Sequence, residues 1–269
     1  MERILTVVAS VVRHRRFRLL LAVLLSLAVA GPVLAQPITV PNYSFELQTA
    51  PNTSPYVNTF VDAWEKNAEP AYYDAVIGTP FGIPWTGTAG VFFDINPYLN
   101  REGAQVGYLL AFPEVALFQD YNSTPTHDFN ATFEIGQAFN LTIGIFGKPT
   151  LAPGNTLELS LYYRDDSNNK VTVGATTVSY STATFSTEGP LNLIDFEVNV
   201  PHVDANDPWA GRNIGIQLLS TVALESASGG NWDFDNVRLT AVPEPATLSL
   251  LALGAGGLVL ARRRMRLRN

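Results

Sequence analysis

The chain has 269 residues, no cysteine, three histidines and a formal net charge of −7. Ten of the 17 Lys and Arg lie in the two ends, so residues 37–242 carry 7 basic against 22 acidic residues, a net of −15. Such a body repels phosphate backbones, which argues against a nucleic-acid partner, and it favours solubility and divalent cations. Without cysteine there is no disulfide framework, thiolate nucleophile or Cys-ligated metal. With only His127 and His202 beyond His14, a multi-histidine zinc site is excluded as well.

In chain order, Arg13, Arg15, Arg16 and Arg18 precede the apolar run Leu19–Ala30, which ends at Gly31-Pro32. A positive segment, a short apolar core and small residues up to Ala35 read as a secretory signal peptide over residues 1–35, cut after Ala35 by signal peptidase. Residues 36–242 are within reach of a single domain.

Along that body, short runs rich in Val, Ile, Thr, Phe and Tyr alternate with Gly, Pro, Asn and Asp. They predict strands at Ile38–Val40, Ser44–Leu47, Val91–Ile95, Gln105–Ala111 and Ala116–Asp120. Further strands are expected at Ala131–Phe146, Thr156–Arg164, Lys170–Tyr180, Leu191–Val200, Asn213–Thr221 and Trp232–Thr240. In 157–164 the leucines Leu157, Leu159 and Leu161 fall on one face. Asp165–Asn169 is a run of turn formers that closes a hairpin. No stretch holds a 3.6-residue period for three turns. The expected fold class is all-β, two packed antiparallel sheets.

The segment Trp64–Tyr98 holds eight aromatics broken by four prolines. Sugar-binding surfaces use exposed rings because the C–H face of a pyranose packs on a π-face. Either Tyr72, Tyr73 and Trp85 form such a platform with Trp209, or these rings fill the core beneath a long loop.

The chain ends in Pro243-Glu244-Pro245, an apolar run of 16 residues, Ala246–Ala261, and a cluster of five arginines from Arg262 to Arg268. The run is near the lower edge of what spans a bilayer, and the arginines favour a cytoplasmic C-terminus. Residues 243–269 resemble the PEP-CTERM protein-sorting tail. The resemblance implies a transmembrane helix placed transiently in the inner membrane through 246–261. It also implies cutting near Pro243, Glu244 and Pro245 by an exosortase-type protease, and export to the cell surface or an exopolysaccharide matrix.

Three motifs of the body carry a second resemblance: Asn42-Tyr43-Ser44-Phe45-Glu46, then Gly103-Ala104-Gln105 with Leu117-Phe118-Gln119, then Asp233-Phe234-Asp235-Asn236-Val237-Arg238-Leu239. Together they resemble the galactose-binding-like jelly roll of many carbohydrate-binding modules. That likeness implies paired first and last strands, with Asn42–Glu46 beside Asp233–Leu239. It further implies a structural calcium ion held by Glu46 and Asp235, with Asp233 a third ligand. Calcium takes six to eight oxygens, so carbonyls and water would complete the shell. The alternative is that these carboxylates face solvent or cap turns.

No G-x-S-x-G, H-E-x-x-H or phosphate-binding glycine loop appears, and no carboxylate pair stands out as a glycosidase pair. The expectation is a non-catalytic exported surface or matrix protein associated with exopolysaccharide. A lectin-like glycan-binding adhesin is the alternative, and a glycoside hydrolase is the distant one.

Overall fold

The computed structural model describes residues 34–54, 56–93 and 98–243. The expected signal helix and transmembrane helix, with Glu244 and Pro245, lie outside the described residues, while Ala35 is exposed and Pro243 half-buried. Among the described residues no helix is long and apolar enough to cross a membrane.

Residues Gln36–Ala241 form one compact unit. Its strands are β1 (Gln36–Ile38), β2 (Val57–Asn58), β3 (Glu65–Lys66), β4 (Ala89–Phe93), β5 (Tyr98–Leu99), β6 (Gln105–Leu110) and β7 (Ala116–Gln119). They continue with β8 (Gln137–Gly147), β9 (Thr156–Arg164), β10 (Lys170–Ser179), β11 (Leu191–Asn192), β12 (Ile194–Val200), β13 (Gly215–Ser220) and β14 (Asn231–Pro243). One sheet runs β12-β8-β14-β6-β4-β2 with β1 also on β14, and the other runs β10-β9-β13-β7-β3. Among the described residues the registered pairings within both sheets are antiparallel, and the small β5–β11 pair is parallel. This is the jelly-roll β-sandwich.

The core lies between the two sheets because alternate residues point inward. Leu157, Leu159, Leu161 and Tyr163 of β9 face Phe139, Leu141, Ile143 and Ile145 of β8, all buried. In β14 the inward set changes parity, from Trp232 and Phe234 to Val237, Leu239 and Ala241. The change falls at Asn236, whose φ of 56° is left-handed. One extra residue there slips the pattern, as a β-bulge does, while Asp233 and Asp235 point off the apolar layer because they alternate with Trp232 and Phe234.

First and last strands pair, Gln36 opposite Ala241 and Ile38 opposite Leu239. The predicted strand Ser44–Leu47 is instead a turn. Asn42 and Phe45 have positive φ, Asn42 Oδ1 accepts from the Leu47 N–H at 3.1 Å, and the Phe45 ring is buried against Trp64 and Phe234. Side-chain capping and burial of one ring outweigh strand propensity here. The turn still reaches β14, for Val237 N–H donates to Tyr43 O at 3.0 Å. Residues 131–136 likewise leave the predicted strand, which begins only at Gln137.

Gly107 lies opposite Phe234 in the register, and a Cβ there would run into that ring. Gly107→Ala is expected to cost about 1–3 kcal/mol through overpacking, read as a lower midpoint in urea unfolding. An unchanged midpoint would show that Phe234 can move aside.

Candidate functional site

The five-stranded sheet turns its second face outward, and that face is polar with two rings set into it. Phe118 of β7 and Tyr162 of β9 are nearly buried on it, among Glu65, Asp120, Arg164, Lys170 and Gln217. The register explains the gathering: Glu65 lies opposite Phe118, Gln217 opposite Phe118 and Ser160, and Lys170 opposite Arg164. Gly215 lies opposite Tyr162, and the missing Cβ lets the tyrosine ring lie across the β13 backbone.

Asp120 organises the cluster. Its Oδ2 accepts from Tyr162 Oη–H at 2.6 Å and from Arg164 Nε–H at 2.7 Å, and its Oδ1 accepts from the Asn122 N–H at 2.9 Å. Burial, then the Asp120 charge, pushes the Tyr162 hydroxyl far up, so it stays a donor. Lys170 packs on the Phe118 ring and donates to Gln217 Oε1 at 2.9 Å. Burial lowers its ammonium to about 8. Desolvation, with Asp120 nearby, raises the Glu65 carboxyl.

At one end this face opens into a cleft of about 300 Å³ lined by Asp120, Tyr121, Asn122, Tyr162, Arg164 and residues 211–213. Tyr121 stands at its rim, 39% exposed. The tyrosine ring is stacked on His127 at 4.3 Å with 7° between planes, and His127 Nδ1 is bonded to the Tyr121 carbonyl at 2.5 Å. Arg212, also lining the cleft, donates to Asp166 Oδ1 at 2.7 Å. One fixed, half-open ring beside a cleft of amides and guanidinium groups is a geometry that can hold a sugar.

Of the four rings expected to form a platform, Tyr73 and Trp85 are buried and are corrected to core. Tyr73 donates to Ile83 O at 3.1 Å and Trp85 Nε1 to Asn67 O at 3.1 Å, with the rings edge-to-face at 4.8 Å. Tyr72 is half-buried and donates to Glu114 Oε1 at 3.1 Å, and Trp209 packs partly on the core. Tyr73 and Trp85 meet inside the core, so the four form no exposed platform. Tyr121, Arg164, Lys170 and Arg212, which do cluster, carry no sequence motif; the only signal available was that Tyr162 and Arg164 share the polar face of the alternating strand β9.

The expected calcium ligands also divide. Glu46 Oε1 accepts from the N–H groups of Ala104 and Gln105 at 2.8 and 2.7 Å. Asp235 is fully buried, and its Oδ2 accepts from the Glu102 N–H at 2.7 Å. Glu102 itself, which sequence reasoning passed over, comes round to accept from Tyr43 Oη–H at 2.5 Å. Gly103 makes this loop, with φ +84° and a hydrogen where a Cβ would strike the Glu46 carboxylate. Desolvation, then the charges of Glu46 and Glu102, pushes the Asp235 carboxyl up to about 8. Its Oδ1 is buried without a hydrogen-bond partner.

Asp233 serves elsewhere. Its Oδ2 accepts from Tyr98 Oη–H at 2.6 Å and pairs with Lys148 Nζ at 3.0 Å, while Oδ1 accepts from Asn231 at 2.6 Å. No group of three His, Cys, Asp or Glu side chains stands ready for a metal among the described residues. The unpartnered Asp235 oxygen, within the charge influence of Glu46 and Glu102, has the chemistry a hard cation takes, with carbonyls and water completing a shell that these side chains do not preassemble. Glu46, Glu102 and Asp235 are the residues that would hold it.

The fold defines the class of the body, a jelly-roll sandwich, and the sorting motif defines an exported protein. Residues 241–264 match the PEP-CTERM protein-sorting motif. Residues 36–240 match the HpiC1-like family, described as HpiC1 cyclase, and the chain belongs to that family. The Stig cyclase Fisc from Fischerella sp. TAU, solved in complex with (3Z)-3-(1-methyl-2-pyrrolidinylidene)-3H-indole, superposes with a TM-score of 0.51. It is 20% identical, and the match covers 78% of this chain and 100% of that one. A cyclase from the same organism, in complex with 4-(1H-indol-3-yl)butan-2-one, gives a TM-score of 0.51 at 20% identity over 78% and 99% of the two chains. The CBM22-1 xylan-binding domain of Paenibacillus barcinonensis Xyn10C gives 0.42 at 11% identity over 79% and 99%. No curated protein matches the chain.

Proposed function

We propose that this is a non-catalytic exported protein that binds glycan at the cleft of the five-stranded sheet, in the exopolysaccharide of the cell that makes it. The observation that carries this reading is the Tyr121 ring, held flat by His127 beside Asp120, Arg164, Arg212 and Asn213. The ring offers a π-face to C–H groups, and the polar side chains around it offer donors and acceptors to hydroxyls. The sorting tail supports the location, since a processed and exported body meets surface polysaccharide first. A calcium ion at Glu46, Glu102 and Asp235 belongs to this reading as a structural tie, supplying the positive charge those carboxylates lack.

The family's description as a cyclase raises catalysis as the competing role. Asp233, the buried carboxylate beside a tyrosine and a lysine, has both oxygens engaged by Tyr98, Lys148 and Asn231. That arrangement supports a structural ion pair, while a buried carboxylate beside a tyrosine and a lysine is also the set a catalytic role would use, and turnover is what separates the two. Co-sedimentation of the protein with a panel of insoluble polysaccharides tests the proposal, with the soluble fraction assayed for released sugar. Saturable binding without release is the expected result. Failure to bind any polymer, or turnover of one, would overturn it.

A further inference from the structure

The cleft's charge balance points to the class of glycan, and the inference rests on the binding role proposed above. We infer that the site takes neutral sugar units through their hydroxyl groups and discriminates against uronic acids. The body carries a net of −15, yet three of its seven cations, Arg164, Lys170 and Arg212, collect on this one face. A cationic cluster of that kind would ordinarily suit an anionic sugar.

Each cation is matched, however. Arg164 is bonded to Asp120 and Arg212 to Asp166, both at 2.7 Å. Lys170 has no carboxylate in hydrogen-bond reach, and its charge is offset by Glu65 and Asp120 nearby. Three cations against Glu65, Asp120 and Asp166 leave this end of the face close to neutral within a strongly acidic protein, with Glu158 farther along β9. A carboxylate entering the cleft would meet Asp120, whose two oxygens are already committed and whose charge sits at the cleft wall. It would also cross the field of the remaining acids, which reaches about 10 Å at 0.1 M salt.

A neutral hydroxyl pair meets neither penalty. Arg164 uses Nε and Nη1 on Asp120 and Asn168, and Arg212 uses Nη2 on Asp166, so each guanidinium retains N–H groups for a hydroxyl oxygen. The amides of Asn122 and Asn213 add acceptors as well as donors. A guanidinium already neutralised by its own carboxylate donates to a neutral oxygen without demanding a counter-charge.

The experiment is calorimetric titration of the full-length chain, held in a sugar-free detergent, with matched soluble oligosaccharides. Neutral oligomers that bind in the polysaccharide panel would be compared with the same oligomers oxidised at C6 to uronates, at 20 and 300 mM salt. The expected result is at least tenfold weaker binding of the uronate at low salt, narrowing as salt rises, with neutral binding insensitive to salt. Equal or tighter binding of the uronate would overturn the inference while leaving glycan binding intact. Loss of neutral binding as well would overturn the glycan-binding role itself. Asp166→Asn, at an exposed position outside the core, supplies the second arm. Freeing Arg212 is expected to improve uronate binding several-fold, and no improvement would count against the charge-matching account.

Discussion

Calcium is expected to raise the melting temperature of this protein far more at pH 8 than at pH 5, and Asp235→Asn is expected to erase the difference. The folded carboxyl of Asp235 is pushed to about 8 by burial and by Glu46 and Glu102, whereas an unfolded aspartate titrates near 3.9. Between those values the folded state holds a proton that the unfolded chain releases. Stability of the calcium-free protein therefore falls as pH rises through that window. Each unit of such a shift corresponds to about 1.4 kcal/mol, so the window spans several kcal/mol.

A divalent cation on the ionised site competes with that proton, and its benefit grows as the pH approaches and passes the folded pKa. For a domain of this size each kcal/mol moves the midpoint by about 2–4 °C, so a shift on the order of 5–10 °C at pH 8 is expected. Asp235→Asn keeps an oxygen for the Glu102 N–H and removes the charge. It should melt at pH 8 at least as high as the calcium-free parent and ignore calcium. Equal midpoints in EDTA and in millimolar calcium at both pH values would reduce Asp235 to a buried neutral acid.

Replacing Tyr121 with alanine is expected to weaken glycan binding about tenfold while leaving the midpoint of unfolding nearly unchanged. The ring is 39% exposed and packs on His127. Its removal costs little core, and surface changes of this kind usually fall within about 0.5 kcal/mol. Aromatic contacts are worth about 0.5–1.5 kcal/mol beyond their buried area, and the lost area adds to that. Tyr72→Ala is the matched control, since Tyr72 bonds Glu114 away from the cleft. If Tyr72→Ala weakened binding and Tyr121→Ala did not, the site would belong to the Trp64–Tyr98 segment after all.

Much of the architecture was legible because alternation is a local property. The strands β6, β7, β9, β10, β13 and β14 fall within a few residues of their expected spans, since each needs only its own two faces to declare itself. The two-residue strands β2, β3 and β5 were not legible, because so short a pairing is set by the partner and leaves no period of its own. The aromatic segment misled for a related reason. A ring suits a sugar platform or a core equally well, and only packing distinguishes Tyr73 at 0% exposure from Tyr121 at 39%.

By itself the sequence determined the sorting motif over 241–264, the all-β class and the approach of the first turn to the last strand. Each of these is written in contiguous residues: an apolar run beside arginines, a period of two, a short motif. Tertiary structure alone decided the site. It brought Glu65, Asp120, Arg164, Lys170 and Arg212, spread across some 150 positions, together through strand register and the loops that flank β7 and β13. It also separated Asp233 from Asp235, two residues apart in one strand, giving the first a lysine and the second two carboxylates. Charge acts through space at a few ångströms, and the chain's order says little about which charges the fold will place at that distance.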